Sequence, residues 1–244
     1  MSTETVPDLR PVRSTATWAL QVHLYLAAWF WGIALVVVTL ALVVINQVGQ
    51  VENSVLAFGR QGAIWFPFSM FIAITAAYLP VHVATGLTRR ALSLGLLVAA
   101  VVTGLVYGLV FYALLQVERA VFGALGWQWR NLEGMSPDFD DPTALLVSAT
   151  LTFVAAYVSG LLVCIVYQRA GGWWGTLALP LTAAPILLVS ALFAQDAGPF
   201  STSEWFGGDR PLLAASAATL LIVAAMAVAF DRLTRGASVP SRPS

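Results

Sequence analysis

The sequence predicts an all-α integral membrane protein with six transmembrane helices and both termini in the cytoplasm. Three observations predict it. Of 244 residues, 59% are hydrophobic and only 10% charged, and the mean hydropathy is +0.83. An ordinary soluble domain carries roughly 25% charged residues. Six runs each approach the ~20 mostly apolar residues that a bilayer crossing needs. The arginines, finally, are distributed unevenly between the connections of those runs.

The segment Met1–Arg13 is polar and carries two acids. The apolar run after it is too long for a signal h-region and lacks a small-residue cleavage site, so it is expected to be retained as span one. The six spans are read as Val22–Val48, Ile64–Ala84, Leu92–Val117, Leu145–Tyr167, Thr176–Ala194 and Leu212–Phe230. In domain terms, 1–20 is a cytoplasmic N-terminal segment, 21–231 the transmembrane domain and 232–244 a cytoplasmic tail. Two outer connections are long, 118–143 and 195–211. Ala120–Leu132 within the first mixes Val, Phe, Leu and Trp with few charges and reads as a helix in the outer interface. Gly134–Pro142 reads as a solvated acidic turn.

With the N-terminus inside, eight arginines fall on the cytoplasmic side: Arg10, Arg13, Arg89, Arg90, Arg169, Arg232, Arg235 and Arg242. Only Arg60, Arg119, Arg130 and Arg210 fall outside. Three acids lie inside and nine outside, which is the sense of the positive-inside rule. Trp18, Trp65, Trp127, Trp129, Trp173, Trp174 and Trp205 cluster near the expected interfaces, where amphipathic rings belong. Trp29 and Trp31 lie deeper, as packing residues or as the wall of an apolar path.

Several function classes are excluded. All twelve basic residues are Arg. A chain without Lys has no Walker A lysine for nucleotide phosphates and no Schiff-base chemistry. No carboxylate or Arg lies within a span away from its ends, so ion coupling through intramembrane carboxylates has no candidate. No Ser–His–Asp or His–Glu–x–x–His pattern occurs, and the protein is not read as an enzyme in its own right. Cys164 is a small apolar-run residue. His23 and His82 read as interfacial histidines, or alternatively as two ligands of a single haem. A structural or assembly protein without transport is a further alternative. No cofactor is expected on the chain itself.

Pro80, Pro180 and Pro185 interrupt spans two and five, where a freed carbonyl permits a kink, and are candidate hinges. Gly104 and Gly108 form a G-x-x-x-G pair in span three, a candidate close helix contact. The cytoplasmic connection Leu79–Gly95 is the most distinctive: Gly86 ends or bends the helix, and Thr88 can N-cap a new short helix beginning with Arg89 and Arg90.

Gly86-Leu87-Thr88-Arg89-Arg90 resembles the G-x-T-R-R segment of small bacterial ABC-2 type transporter permeases. Tyr167-Gln168-Arg169-Ala170-Gly171-Gly172-Trp173-Trp174-Gly175 is similar to the Y-x-R-x-G-x-x-G joint between spans four and five of that family. Trp18 before an aromatic-rich span one, and Asp231-Arg232-Leu233-Thr234-Arg235 after span six, fit the same pattern. The resemblance implies an ABC-2 type fold and a permease subunit that pairs with a second permease copy or paralogue. It implies a separate ABC ATPase subunit as the energy source, so that ATP is bound by the partner and not by this chain. Under it Asp8–Leu20 is a connecting helix, and Gly86, Thr88, Arg89 and Arg90 are the coupling element received by the ATPase. Export of an amphipathic or hydrophobic compound across the bacterial cytoplasmic membrane is the implied activity, with lipids and no nucleic acid as further partners. The family's two short re-entrant outer helices between spans five and six do not fit easily into Gln195–Pro211.

Overall fold

In lipid no water is available to an open backbone, so a chain this apolar must close its hydrogen bonds within helices. The structure, a computed structural model, describes residues 10–49, 51, 53–86, 88–129, 141–193 and 212–236. They form α1 (Arg10–Val48), α2 (Val55–Ala84), α3 (Arg89–Leu125), α4 (Pro142–Phe193) and α5 (Leu212–Arg235). All five are long and apolar enough to cross a membrane, and the protein is an all-α, multi-pass membrane protein.

The fourth helix holds two of the expected spans. At 52 residues it would measure about 78 Å if straight, more than twice the ~30 Å hydrocarbon layer. It is not straight. Gly171 has φ 76° and ψ 176°, outside the helical region. Ser159 Oγ donates to Thr182 O across 23 residues, a separation of about 34 Å on an unbroken helix. Tyr167 Oη meets Thr176 Oγ1 at 3.0 Å. These contacts centre on Gly171 and fold α4 into two antiparallel arms, 142–170 and 172–193.

Side-chain pairs fix the relative directions of α1, α2, α3 and the first arm of α4. Trp18 lies on Tyr78 (3.9 Å), His23 on Phe71 (3.8 Å) and Phe30 on Phe66 (5.1 Å), so α1 and α2 are antiparallel. Thr15 abuts Gly95 while Trp31 meets Phe111, so α1 and α3 run parallel. Gly104 faces Val154 and Gly108 faces Thr150, making α3 antiparallel to the first arm of α4. Residues 10, 84–86, 88, 89 and 170–172 therefore gather at one end of the bundle, joined by Arg235 through its contact with Arg89, and Ser54, Leu125 and Pro142 lie at the other.

A Cβ on Gly104 would stand 2.9 Å from the Val154 Cα, and one on Gly108 2.8 Å from the Thr150 Cα. The expected G-x-x-x-G contact is present: two backbones touch where no side chain intervenes. Around it lie Trp31, Phe71, Tyr107, Phe111, Phe153 and Tyr157, all buried. Trp31 packs on Tyr107 and Phe111, whereas Trp29 is 59% exposed. The first arm of α4 is the centre of the bundle and packs on α2, α3 and α5. Beyond Trp31 no residue of α1 is buried.

Pro67 explains one buried hydrogen bond. Lacking an N–H, it leaves the Ala63 carbonyl without its helical donor, and Tyr157 Oη donates to that carbonyl at 2.8 Å. Tyr157→Phe is expected to lower stability by about 1 kcal/mol. Unfolding in mixed micelles would show it, and no change would mean that the carbonyl finds another donor.

Three expectations need correction. Residues 10–20 are not a separate connecting helix from Arg10 onward; they are the first turns of α1. No interfacial helix starts at Ala120, because α3 continues to Leu125 and ends at Gly126, whose φ of 70° accepts the left-handed cap. Asp141 is not merely part of a solvated turn: its carboxylate accepts from Thr143 N (2.9 Å) and Ala144 N (3.0 Å), capping α4 ahead of Pro142 at the first helical position. The rest of Gly134–Pro142, and 195–211, lie outside the described residues.

Candidate functional site

The end of the bundle where α1 and α3 begin holds the residues that the sequence singles out. Thr85 N closes the last turn of α2 on Val81 O at 3.1 Å. Gly86 then turns the chain with φ 76°. Thr88 is extended and accepts from Ala91 N at 3.2 Å, the N-cap expected of it. It caps α3 itself. The separate short helix expected after Thr88 is absent, and Arg89 and Arg90 are the first residues of a 37-residue helix.

Arg89 and Arg90 diverge. Arg90 is exposed, whereas Arg89 is half-buried and donates from Nη1 to Arg235 O at 3.4 Å. Arg169, beside the α4 reversal, donates to Leu233 O at 3.1 Å. Both guanidinium groups thus serve carbonyls at the C-terminus of α5, which the helix leaves without donors and where its dipole favours cations. Ser93 Oγ donates to Asp231 Oδ1 at 2.6 Å, and Asp231 also binds Arg235 through both oxygens, at 3.1 and 2.6 Å. The sequence places Asp231 at the end of span six but does not show that it binds Ser93 of α3. What the sequence does show is an i,i+4 Asp–Arg pair that ends an apolar run beside the tail.

The effect is a basic end plate in which α3, the α4 reversal and α5 are tied by directed hydrogen bonds, with Arg90 projecting beside the Gly86 turn.

The hinge candidates do not break their helices. Pro80, Pro180 and Pro185 lie within α2 and α4, and the non-helical residue inside α4 is Gly171. The two histidines are not brought together. His23 Nδ1 donates to Ala19 O at 2.8 Å, its ring stacks on Phe71, and its Nε2 has no partner among the described residues. His82 lies eleven residues beyond Phe71 on α2, about 16 Å along the axis, too far for one haem iron to bridge at the level of His23.

At the opposite end, two charges that flank the expected spans two and three are buried inside helices. Arg60 is inside α2, buried, with Nη2 donating to Thr152 Oγ1 at 3.3 Å. Glu118 is inside α3 and buried. It accepts from the Ser54 hydroxyl, from Val55 N and Leu56 N (both 3.0 Å) and from Trp129 Nε1 (3.1 Å). With Ser54 Oγ accepting from Ala57 N at 3.1 Å, three of the four donors that open α2 are satisfied. The anion-binding position at this helix start is filled by the protein's own carboxylate.

In comparison with known proteins, no family model matches the chain, and neither does any curated protein or solved structure.

Proposed function

We propose that the chain is a six-crossing permease subunit of an ABC-2 type ABC transporter in the bacterial cytoplasmic membrane. In this reading it pairs with a second permease copy or paralogue and exports an amphipathic or hydrophobic compound, driven by ATP hydrolysis on a separate subunit. Each arm of α4 is long enough for one crossing, which brings five apolar helices to six crossings with both termini on one side. The observation that carries the functional reading is the Gly86–Arg90 turn. It combines a left-handed Gly86, a capped helix start at Thr88 and an exposed Arg90 with an Arg89 fastened to α5. Such a turn presents a cation to a cytoplasmic partner and passes displacement to α3 and α5. The absence of Lys favours an energy source on another polypeptide. An apolar interior with buried tyrosine hydroxyls suits an amphipathic cargo better than a highly charged one.

The test is co-purification of the tagged protein from native membranes in mild detergent. Wild type is expected to bring down a P-loop ATPase in stoichiometric amount, and Arg89→Glu/Arg90→Glu to lose it. Arg90→Glu alone leaves the α5 contact intact and is expected to lose most of the ATPase without lowering the melting temperature. A wild-type protein that carries no ATPase in several mild detergents would overturn the proposal in favour of a role without transport.

A further inference from the structure

The cytoplasmic end of α1 carries a face that neither the bundle nor the Gly86–Arg90 turn uses. Arg10, Arg13, Ser14, Thr17, Trp18 and Gln21 line an open cleft of about 430 Å³. Their spacing of three and four places them on one side of the helix, away from the buried stripe of Thr15, Ala19 and His23. Thr15 abuts Gly95, and the Trp18 ring rests on Tyr78 at 3.9 Å. The cleft is therefore level with the first turns of α3 and the last turns of α2, at the boundary of the apolar bundle. Arg13, Ser14, Thr17 and Gln21 are exposed, and among the described residues their side chains make no hydrogen bond or ion pair. Thr15, by contrast, bonds back to Pro11 O at 2.9 Å.

The same side of α1 continues toward the bilayer centre as a second, apolar cleft of about 530 Å³, lined among others by Tyr25, Trp29, Gly32 and Val36. Nothing lies within 4 Å of the position a Gly32 side chain would take, so the floor of this groove is bare backbone. From Tyr25 to Val37 it runs about 18 Å, a little over half the ~30 Å hydrocarbon layer. Cations, hydroxyls, an amide and an indole at headgroup depth, followed by an apolar groove of acyl-chain length, have the shape and polarity of one lipid molecule. Anionic lipids are drawn to arginines at the cytoplasmic surface.

We propose that α1 holds one anionic glycerophospholipid of the cytoplasmic leaflet. Its phosphate lies against Arg10, Arg13 and the Ser14 and Thr17 hydroxyls, and one acyl chain lies along the groove over Gly32. The site does not depend on the transporter reading.

The test is native mass spectrometry of the full-length protein, released from neutral detergent after titration with phosphatidylglycerol or phosphatidylcholine. One phosphatidylglycerol is expected to be retained in preference to phosphatidylcholine. Arg10→Gln/Arg13→Gln is expected to weaken its binding at least about tenfold. Gly32→Leu, which fills the groove without altering charge, is expected to weaken it by a similar factor. Arg13 and Gly32 are exposed, so the melting temperatures of Gly32→Leu and of Arg13→Gln alone should match wild type. Unchanged phosphatidylglycerol binding in Arg10→Gln/Arg13→Gln would overturn the site. So would an equal loss in Arg90→Gln/Arg232→Gln, which would mean diffuse charge attraction. Displacement of the lipid by millimolar inorganic phosphate, with Gly32→Leu without effect, would replace the lipid by a soluble anion.

Discussion

Glu118→Ala is expected to destabilise the protein by about 3–5 kcal/mol, seen as a fall of roughly 10 °C in melting temperature. The side chain is 7% exposed and gathers four donors: the Ser54 hydroxyl, two backbone N–H groups and the Trp129 indole. Removing it leaves those donors in a space that water reaches poorly, and each unsatisfied buried donor costs about 1–3 kcal/mol. It also removes a negative charge from the start of α2, where the helix dipole favours one. Glu118→Gln keeps the shape and one acceptor oxygen but turns an amide NH₂ toward groups that are themselves donors. An intermediate fall of about 5 °C is expected. Val117→Ala, at a 60% exposed neighbour on the same helix, should change little. A melting temperature within about 2 °C of wild type for Glu118→Ala would mean that the cap is dispensable.

The same residue shows where the sequence is legible and where it is not. A bilayer selects on run length and charge, and both can be read locally. The apolar runs at Val22, Leu92 and Leu212 therefore coincide with parts of α1, α3 and α5, and the Thr88 cap and the Gly104–Gly108 contact were foreseen. Buried charge is different. Glu118 and Arg119 side by side look like the end of a span and the start of a loop, yet the helix runs on to Leu125. Three of the four partners that permit this lie more than sixty residues earlier, at the start of α2. Pro67 drew no attention because the hydroxyl that answers it, on Tyr157, is 94 residues from the orphaned Ala63 carbonyl. Nothing beside Arg89 in the sequence points to the Arg235 carbonyl that it reaches, 146 residues away. In each case the missing information is the register between distant helices, which no local pattern encodes. Asp141 before Pro142 is another matter: a carboxylate ahead of a proline is a local helix-start signal, and here it was outweighed by the acidic composition around it.

Gly171→Ala is expected to destabilise the protein by about 2–4 kcal/mol, while Gly172→Ala is expected to be nearly silent. At φ 76° and ψ 176° Gly171 occupies a region that side chains essentially exclude. Gly172 has no such backbone, and nothing stands within 4 Å of its Cβ position. Steric contact cannot account for a difference between the two, since the space at Gly171 is also open. The cost arises from the dihedrals alone, and relaxing them rotates one arm of α4 against the other. Such a rotation strains the Ser159–Thr182 and Tyr167–Thr176 bonds and pulls Arg169 from the α5 carbonyl. In the proposed transporter, Gly171→Ala should therefore also reduce substrate export while leaving the Arg90 surface, and with it ATPase co-purification, in place. The topology can be tested at the same joint in a Cys164→Ala background. If α4 crosses twice, a cysteine at Gly172 is labelled by a membrane-impermeant maleimide from the same side as one at Arg90, and from the opposite side to one at Val48. Labelling of positions 172 and 90 from opposite faces would leave α4 a single crossing and sink the six-crossing reading. Equal stability of the two alanine variants would show that the reversal at Gly171 is not the conformation the chain holds in the membrane.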